Sequence, residues 1–440
     1  MKLAGWGNYP ELDCNIVRPR NEQELRDALK KGAAIARGNG RAYGDSALNQ
    51  NQTIDMRQFN RMLDFNNANG LLTVEAGVLL ADIIETFLGR GWFPAVTPGT
   101  KFVTIGGLIA ADVHGKNHHK DGSFASFIEW IDVRVSESEV RRCSRHQDSD
   151  LFAWTIGGMG LTGIIEKAAF YLRPVQSGWI EQTTWIAENL DQCLMKMRET
   201  SSSTYSVAWI DCLSRGPSLG RSILMLGEHA EAENLPQDYA ADPFKTPRRR
   251  SARVPFTLPP FLLNQFTIRA FNALYYWNGK RNVGSALVDW DSYFYPLDSI
   301  KDWNKIYGRN GFMQFQCAIP DALSQAGLSQ LLELISRNGS GSFLAVLKQF
   351  GTERTGLSFP MRGFTLALDF PINKSTLKLA SQLDKIVLAH QGRFYLAKDS
   401  RMSIETWNKS EPRGPSFRAF RQNHRLNERF SSAQSQRLGL

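Results

Sequence analysis

The sequence predicts an α+β fold organised as more than one lobe, and three observations carry that expectation. At 440 residues the chain is longer than one ordinary core can organise. Through the first third, short strand-like and helix-like segments alternate too closely for long βαβ units. After residue 174 the pattern becomes a strand-and-helix series that reads as one sheet backed on one side by helices. With 42% hydrophobic and 22% charged residues, the composition is that of a folded chain, which excludes a disordered or fibrous one.

Taken in order, residues 22–31 have helical period, and 34–37 form an apolar strand entering a Gly-rich turn. Residues 71–76 and 127–136 alternate as strands, with helical period over 80–90 between them. In the second region 177–184 and 206–211 read as strands and 190–199 as a helix. Residues 235–262 hold six prolines, an arginine triplet (Arg248-Arg249-Arg250) and little periodicity, so a long mobile loop is expected. Beyond it come a strand (312–319), a helix (322–337), two strands (342–348 and 363–370) and a helix (375–390).

The formal net charge of +9 suits an anionic partner, whether nucleic acid, a phosphorylated ligand or an acidic membrane. A solvated basic surface accounts for it equally well. Five cysteines lie far apart with no CxxC pair, which argues against a disulfide framework or zinc site and favours a reducing compartment. The N-terminus has no apolar core of a signal peptide, and no run of about 18 apolar residues predicts a spanning helix.

Four segments carry chemistry. In Ala36-Arg37-Gly38-Asn39-Gly40-Arg41-Ala42-Tyr43-Gly44, closely spaced glycines let backbone N–H groups converge, which suits a diphosphate. The spacing is not GxGxxG, so a nicotinamide-type site is poorly supported; a plain structural loop and a phosphate cradle are equal readings. In Pro98-Gly99-Thr100-Lys101-Phe102-Val103-Thr104-Ile105-Gly106-Gly107-Leu108-Ile109-Ala110-Ala111-Asp112-Val113-His114, small residues let a planar or phosphorylated ligand approach the backbone. His114, His118 and His119 raise a metal reading, but adjacent histidines diverge and no acid lies at ligand spacing. A buried structural His114 is the plain alternative. Gly157-Gly158-Met159-Gly160-Leu161-Thr162-Gly163-Ile164-Ile165 is a third Gly-rich turn feeding a strand, and the three together suggest one extended ligand. Finally, Tyr395 and Lys398 share a turn where the lysine could move a proton or meet an anion.

These residues resemble a family. Gly40 to Asp45, Thr53-Ile54-Asp55-Met56, Val74-Glu75-Ala76-Gly77-Val78, Pro98-Gly99-Thr100, Thr104-Ile105-Gly106-Gly107 and Gly160-Leu161-Thr162-Gly163 resemble the vanillyl-alcohol-oxidase/PCMH FAD-binding fold. His114-Gly115-Lys116-Asn117-His118-His119, Ser358-Phe359-Pro360, Asp369-Phe370-Pro371 and Lys398-Asp399-Ser400-Arg401 narrow it to the decaprenylphosphoryl-β-D-ribose 2′-oxidase family, nearly end to end. The resemblance implies a two-subdomain FAD-binding domain (1–176), a substrate or cap domain with an antiparallel sheet (177–392) and a C-terminal return (393–440). It implies non-covalent FAD, with the diphosphate on Arg37, Gly38, Asn39, Gly40, Arg41, Ala42 and Tyr43. Gly99, Thr100, Val103, Thr104, Gly106, Gly107, Ala110, Val113, His114, Gly115 and Asn117 would follow the cofactor, joined by Gly160, Gly163, Ile165 and Tyr395.

It further implies catalytic roles for Lys398, Tyr395, His114 and Gln316, and substrate contacts from Lys116, Trp209, Tyr295, Gln314 and Lys348. The substrate would be a lipid-linked sugar phosphate oxidised at its 2′-hydroxyl, and an NAD(P)H-dependent keto-reductase would complete epimerisation to arabinose for the cell envelope. A cytoplasmic protein is expected, with peripheral contact at the inner membrane, no nucleic acid and no metal. Where mycobacterial members carry asparagine and cysteine on the cap strand, this chain has Thr365 and Ala367. The rival readings are a soluble aldonolactone or sugar-alcohol oxidase using oxygen, and a flavin- or membrane-binding protein without turnover.

Overall fold

The computed structural model describes residues 1–247, 249–259, 263–352 and 356–440. In the N-terminal lobe, Ile16–Val17, Thr53–Asp55 and Ile35–Arg37 form a small parallel sheet with Thr53–Asp55 central. Its helix, Glu22–Leu29, begins at Asn21, whose side chain accepts from the Glu24 N–H, and it buries Leu25 and Ala28. A larger antiparallel sheet follows in the order Val140–Ser144, Ile128–Arg134, Ile164–Pro174, Leu71–Glu75, Met62–Asn66, with Trp92–Pro94 paired to the end of Ile164–Pro174. Helix Leu80–Phe87 buries Ile83, Ile84 and Phe87.

The second lobe is an eight-stranded sheet, antiparallel at every pairing. Its order is Gly284–Asp289, Trp179–Ala187, Ser222–His229, Tyr205–Ile210, Ala345–Phe350, Gly363–Pro371, Phe312–Pro320, Arg393–Phe394. Because side chains alternate between faces, Phe315, Cys317, Leu347, Leu366 and Leu368 share one face. There they meet Leu328, Leu331, Leu332 and Ile335 of helix Asp321–Asn338, and Leu379, Leu383 and Val387 of helix Lys374–Ala389. Each such leucine contributes about 1.5–3 kcal/mol by leaving water. The second helix starts with a reciprocal cap between Asn373 and Thr376.

Two features depart from the sequence expectation. The sheet is covered on both faces at one end, because helix Gln265–Arg281 lies over Ile223 and Trp209 on the side opposite the apolar core. Its buried stripe is only Ile268, Asn272, Tyr276 and Gly279, too mixed in polarity to register as a hydrophobic period. The expected mobile loop, where described, holds a helical turn (Gln237–Ala240) and a short strand (Ala252–Arg253) paired with Ile300–Lys301. Arg249 donates to the carbonyls of Asp291, Tyr295 and Pro296. Arg248 and Phe261, also assigned to that loop, lie outside the described residues.

The C-terminal segment returns to the N-terminal lobe. Phe430 bridges Ala34, and Arg437 pairs with both Asp45 and Asp399. Among the described residues no helix is long and apolar enough to cross a membrane.

Candidate functional site

The first part of the site is the turn that leaves strand Ile35–Arg37. Gly40 has φ of 64°, and the N–H groups of Asn39 to Ala42 donate to no backbone carbonyl among the described residues. The Asn39 amide donates to the Phe102 carbonyl at 2.8 Å, which ties this turn to the Gly99–Gly107 segment. A Cβ at Gly38 would fall on the Thr104 hydroxyl, so only glycine lets the two segments touch. Thr104 in turn accepts from the Gly107 N–H. Beyond Gly99 the space is open. Val103, Ala110 and Val113 pack on the adjoining core, while Gly160 (φ 78°) and Gly163 (φ 148°) shape the turn before Ile165.

Between the lobes, the second face of the cap sheet carries Gln314, Gln316, Lys348, Thr365, Ala367 and Asp369, again by strand alternation. His114, from the N-terminal lobe, reaches it. Its Nε2 lies 3.0 Å from the Gln316 amide nitrogen and its Nδ1 3.3 Å from the Lys348 Nζ. The same Gln316 nitrogen donates to Thr365 Oγ1, whose own proton goes to the Cys317 carbonyl. Both the Gln316 amide and the Lys348 ammonium offer protons to the ring, and which nitrogen accepts depends on the tautomer. Burial and the neighbouring Lys348 hold this imidazole well below the ordinary histidine range, hence neutral. Phe350, Phe359 and Tyr395 wall it in, with Phe359 stacked on Tyr395 at 4.7 Å.

Three lysines converge here. Burial lowers Lys116 to about 7 and Lys348 to about 8, and Lys348 pushes further on Lys116 and on Lys398. Lys398 is also lowered by burial, with Asp369 opposing. Its Nζ stands 3.8 Å above the Tyr43 ring. Asp369, fully buried, is raised by desolvation and accepts from Gln314 at 2.6 Å and from the Tyr307 hydroxyl. Gln314 also reaches the Tyr43 hydroxyl at 3.4 Å. Lys116 donates to the Tyr293 carbonyl and lies over that ring. Burial thus pushes the three lysines and Asp369 alike toward their neutral forms.

Of the other expected residues, Trp209 sits on the same sheet face, its indole donating to the Phe343 carbonyl. Tyr295 lies in the aromatic core of the N-terminal lobe with its hydroxyl on Thr97. The Tyr395 hydroxyl donates to the Ala111 carbonyl, so it fixes the ring's position. His118 accepts from the Gly351 N–H and His119 meets the Ser203 carbonyl, so the histidines diverge. Thr365 has polar contacts of its own, to Gln316 and the Cys317 carbonyl. Sequence reasoning named no role for Asp369, Phe350 or Phe359; an acid at a site-facing position of an apolar strand was the available signal for the first.

Comparison with known proteins adds the family. The FAD binding domain model matches residues 15–144. Decaprenylphosphoryl-β-D-ribose oxidase of Mycolicibacterium smegmatis is 34% identical over 94% of this chain and 92% of its own. The chain belongs to the decaprenylphosphoryl-β-D-ribose oxidase family. L-gulonolactone oxidase of Bos taurus is 25% identical over 50% of this chain and 53% of its own. Cytokinin dehydrogenase 5 of Arabidopsis thaliana is 30% identical over 26% of this chain and 20% of its own. The protein is thus an FAD-dependent oxidoreductase acting on a CH–OH group.

The residues present fit FAD. The undonated N–H groups of Asn39 to Ala42 match a diphosphate, and the neighbouring Arg41 Nε is buried without a partner. The buried Asn117 Oδ1 is likewise unpartnered, offering an acceptor near His114.

Proposed function

We propose that this protein oxidises the 2′-hydroxyl of a polyprenylphosphoryl-β-D-ribofuranose to the 2′-keto sugar, the first half of an epimerisation toward an arabinose donor. The observation that carries the reading is the polar face of the cap sheet, where Gln316 and Lys348 meet His114, and Lys398 lies over the Tyr43 ring beside buried Asp369. FAD, when bound, supplies the hydride acceptor. Lys398, its ammonium lowered by burial, takes the 2′-hydroxyl proton at Nζ as the C2′ hydrogen departs with its electron pair. Gln316 and His114 orient the sugar, Gln316 being anchored on Thr365 and His114 lying against Lys348. Lys116 and Lys348 meet the phosphate. Tyr395 packs the ring floor through its bond to Ala111.

Several finer points belong to the same proposal. FAD is held without a covalent bond, because both His114 ring nitrogens are engaged by cap-sheet side chains. Reduced flavin passes its electrons to oxygen or a quinone, and an NAD(P)H-dependent keto-reductase consumes the product. The enzyme works on the cytoplasmic side, in peripheral contact with the membrane that holds the substrate's tail. The gulonolactone oxidase likeness keeps one rival: a soluble aldonolactone or sugar-alcohol oxidase using oxygen.

Anaerobic mixing separates the two readings. Prenylphosphoryl ribose is expected to bleach the flavin, while free polyols and aldonolactones leave it yellow. Bleaching by the free sugars alone would contradict the lipid-phosphate assignment.

A further inference from the structure

The charge of this chain is concentrated in one segment. Residues 243–288 contain eight Lys or Arg and no Asp or Glu, against a net charge of +9 for the whole protein. Helix Gln265–Arg281 lies within that segment. Its start is fixed by reciprocal bonds between Asn264 and Thr267, and its last turn carries Lys280 and Arg281.

The helix is anchored on one side only. Tyr276 donates to the Ala187 carbonyl, Asn272 donates to Asp211, and Gly279 abuts Ile223. At about 100° per residue these groups fall on one side, and Phe266, Leu274 and Trp277 fall on the other. Those three are 79%, 64% and 53% exposed, among the most exposed large apolar side chains of the molecule. An ordinary surface helix points its polar residues to water; this one points aromatic and aliphatic groups, flanked by cations.

The helix also stands at the rim of the lysine pocket. Phe271 contacts Phe343 at 5.7 Å, Phe343 stacks with Tyr307 at 5.8 Å, and Tyr307 donates to Asp369. Tyr275, one turn along, packs on Trp209. An unbroken aromatic path therefore joins the exposed helix face to the polar face of the cap sheet.

We propose that helix Gln265–Arg281 docks this protein on an anionic phospholipid surface, with Phe266, Leu274 and Trp277 entering the headgroup boundary and the basic segment meeting lipid phosphates. Charge selects the occupant: an acid-free, basic, aromatic helix face complements an anionic bilayer rather than a neutral one. A second copy of the chain would bring two such cationic faces together, which repel. The docking rests on the substrate reading above for its purpose, since it sets the pocket mouth beside the layer that would hold a prenyl tail; the surface itself stands on exposure and charge.

Flotation of the purified holoprotein with vesicles tests it. Vesicles rich in phosphatidylglycerol are expected to carry the protein, pure phosphatidylcholine vesicles are not, and high salt should release it. The triple variant Phe266→Ser, Leu274→Ser, Trp277→Ser should lower the bound fraction by about tenfold or more. Met195→Ser, at an exposed apolar residue on another helix, should leave binding unchanged. Retained flavin colour shows that the triple variant is folded. Equal binding to both vesicle types, no binding, undiminished binding of the triple variant, or a concentration-dependent dimer that the triple variant abolishes would overturn the proposal. Flavin bleaching by a water-soluble short-chain prenylphosphoryl ribose, without vesicles, reports on the substrate reading separately.

Discussion

The two faces of the cap sheet are made by the same strands and differ in everything else. On one face Phe315, Cys317, Leu366 and Leu368 meet two amphipathic helices in a dry core. On the other, the alternating neighbours Gln314, Gln316, Thr365 and Asp369 meet His114 and the lysines. In the proposed function one strand period divides labour: one set of residues holds the sheet in place, and the set between them would serve the chemistry. Substitutions on one face should change stability and spare turnover; those on the other should do the reverse.

The largest effect is expected at Lys398. Lys398→Ala should slow anaerobic flavin reduction by about 10²–10⁴-fold while the protein keeps its flavin; an unchanged rate removes the lysine from the chemistry. On the dry face, Leu366→Ala should cost about 2–5 kcal/mol in denaturant unfolding, with the rate per folded molecule preserved. If that variant loses its rate without losing stability, the division between faces fails. Gln316→Leu sharpens the same contrast, with about 1–3 kcal/mol of lost transition-state binding and little change in unfolding midpoint.

A subtler test concerns pH. A lysine base works as the neutral amine, so burial of Lys398 places the rising limb of the rate below the ordinary lysine range. Asp369 holds the ammonium up; Asp369→Asn should therefore shift that limb to lower pH, and a limb that moves upward would contradict the coupling. The smallest expected effect is none at all. Ala367 stands opposite Gln316 and carries no thiol, so thiol-directed covalent inhibitors aimed at this position should leave the intact mass unchanged.

How far the sequence revealed this differs between the faces. The dry face was legible: apolar residues at every second position over 312–319 and 363–370 predicted both strands, and helical period predicted the helices packed on them. The three Gly-rich turns, taken together, also suggested an extended ligand, because glycine spacing marks where a backbone can be approached. The site's assembly was not legible from residue types. Gln316 lies 202 positions from His114, and Lys348 lies 234 from it, so only the folded chain brings them together. The resemblance supplied these names, and the geometry supplied the reason Asp369 and Thr365 join them. Helix Gln265–Arg281 escaped notice for another reason: its apolar residues face outward, so the usual period is absent.

In the proposed reaction hydride leaves C2′ of a lipid-linked ribose as Lys398 takes the hydroxyl proton. Anaerobic flavin reduction with prenylphosphoryl ribose carrying deuterium at C2′ tests this most directly. A slower bleaching than with the protiated substrate, with a 2′-keto product, is the predicted result. Equal rates with both substrates and a product oxidised at another carbon would contradict it.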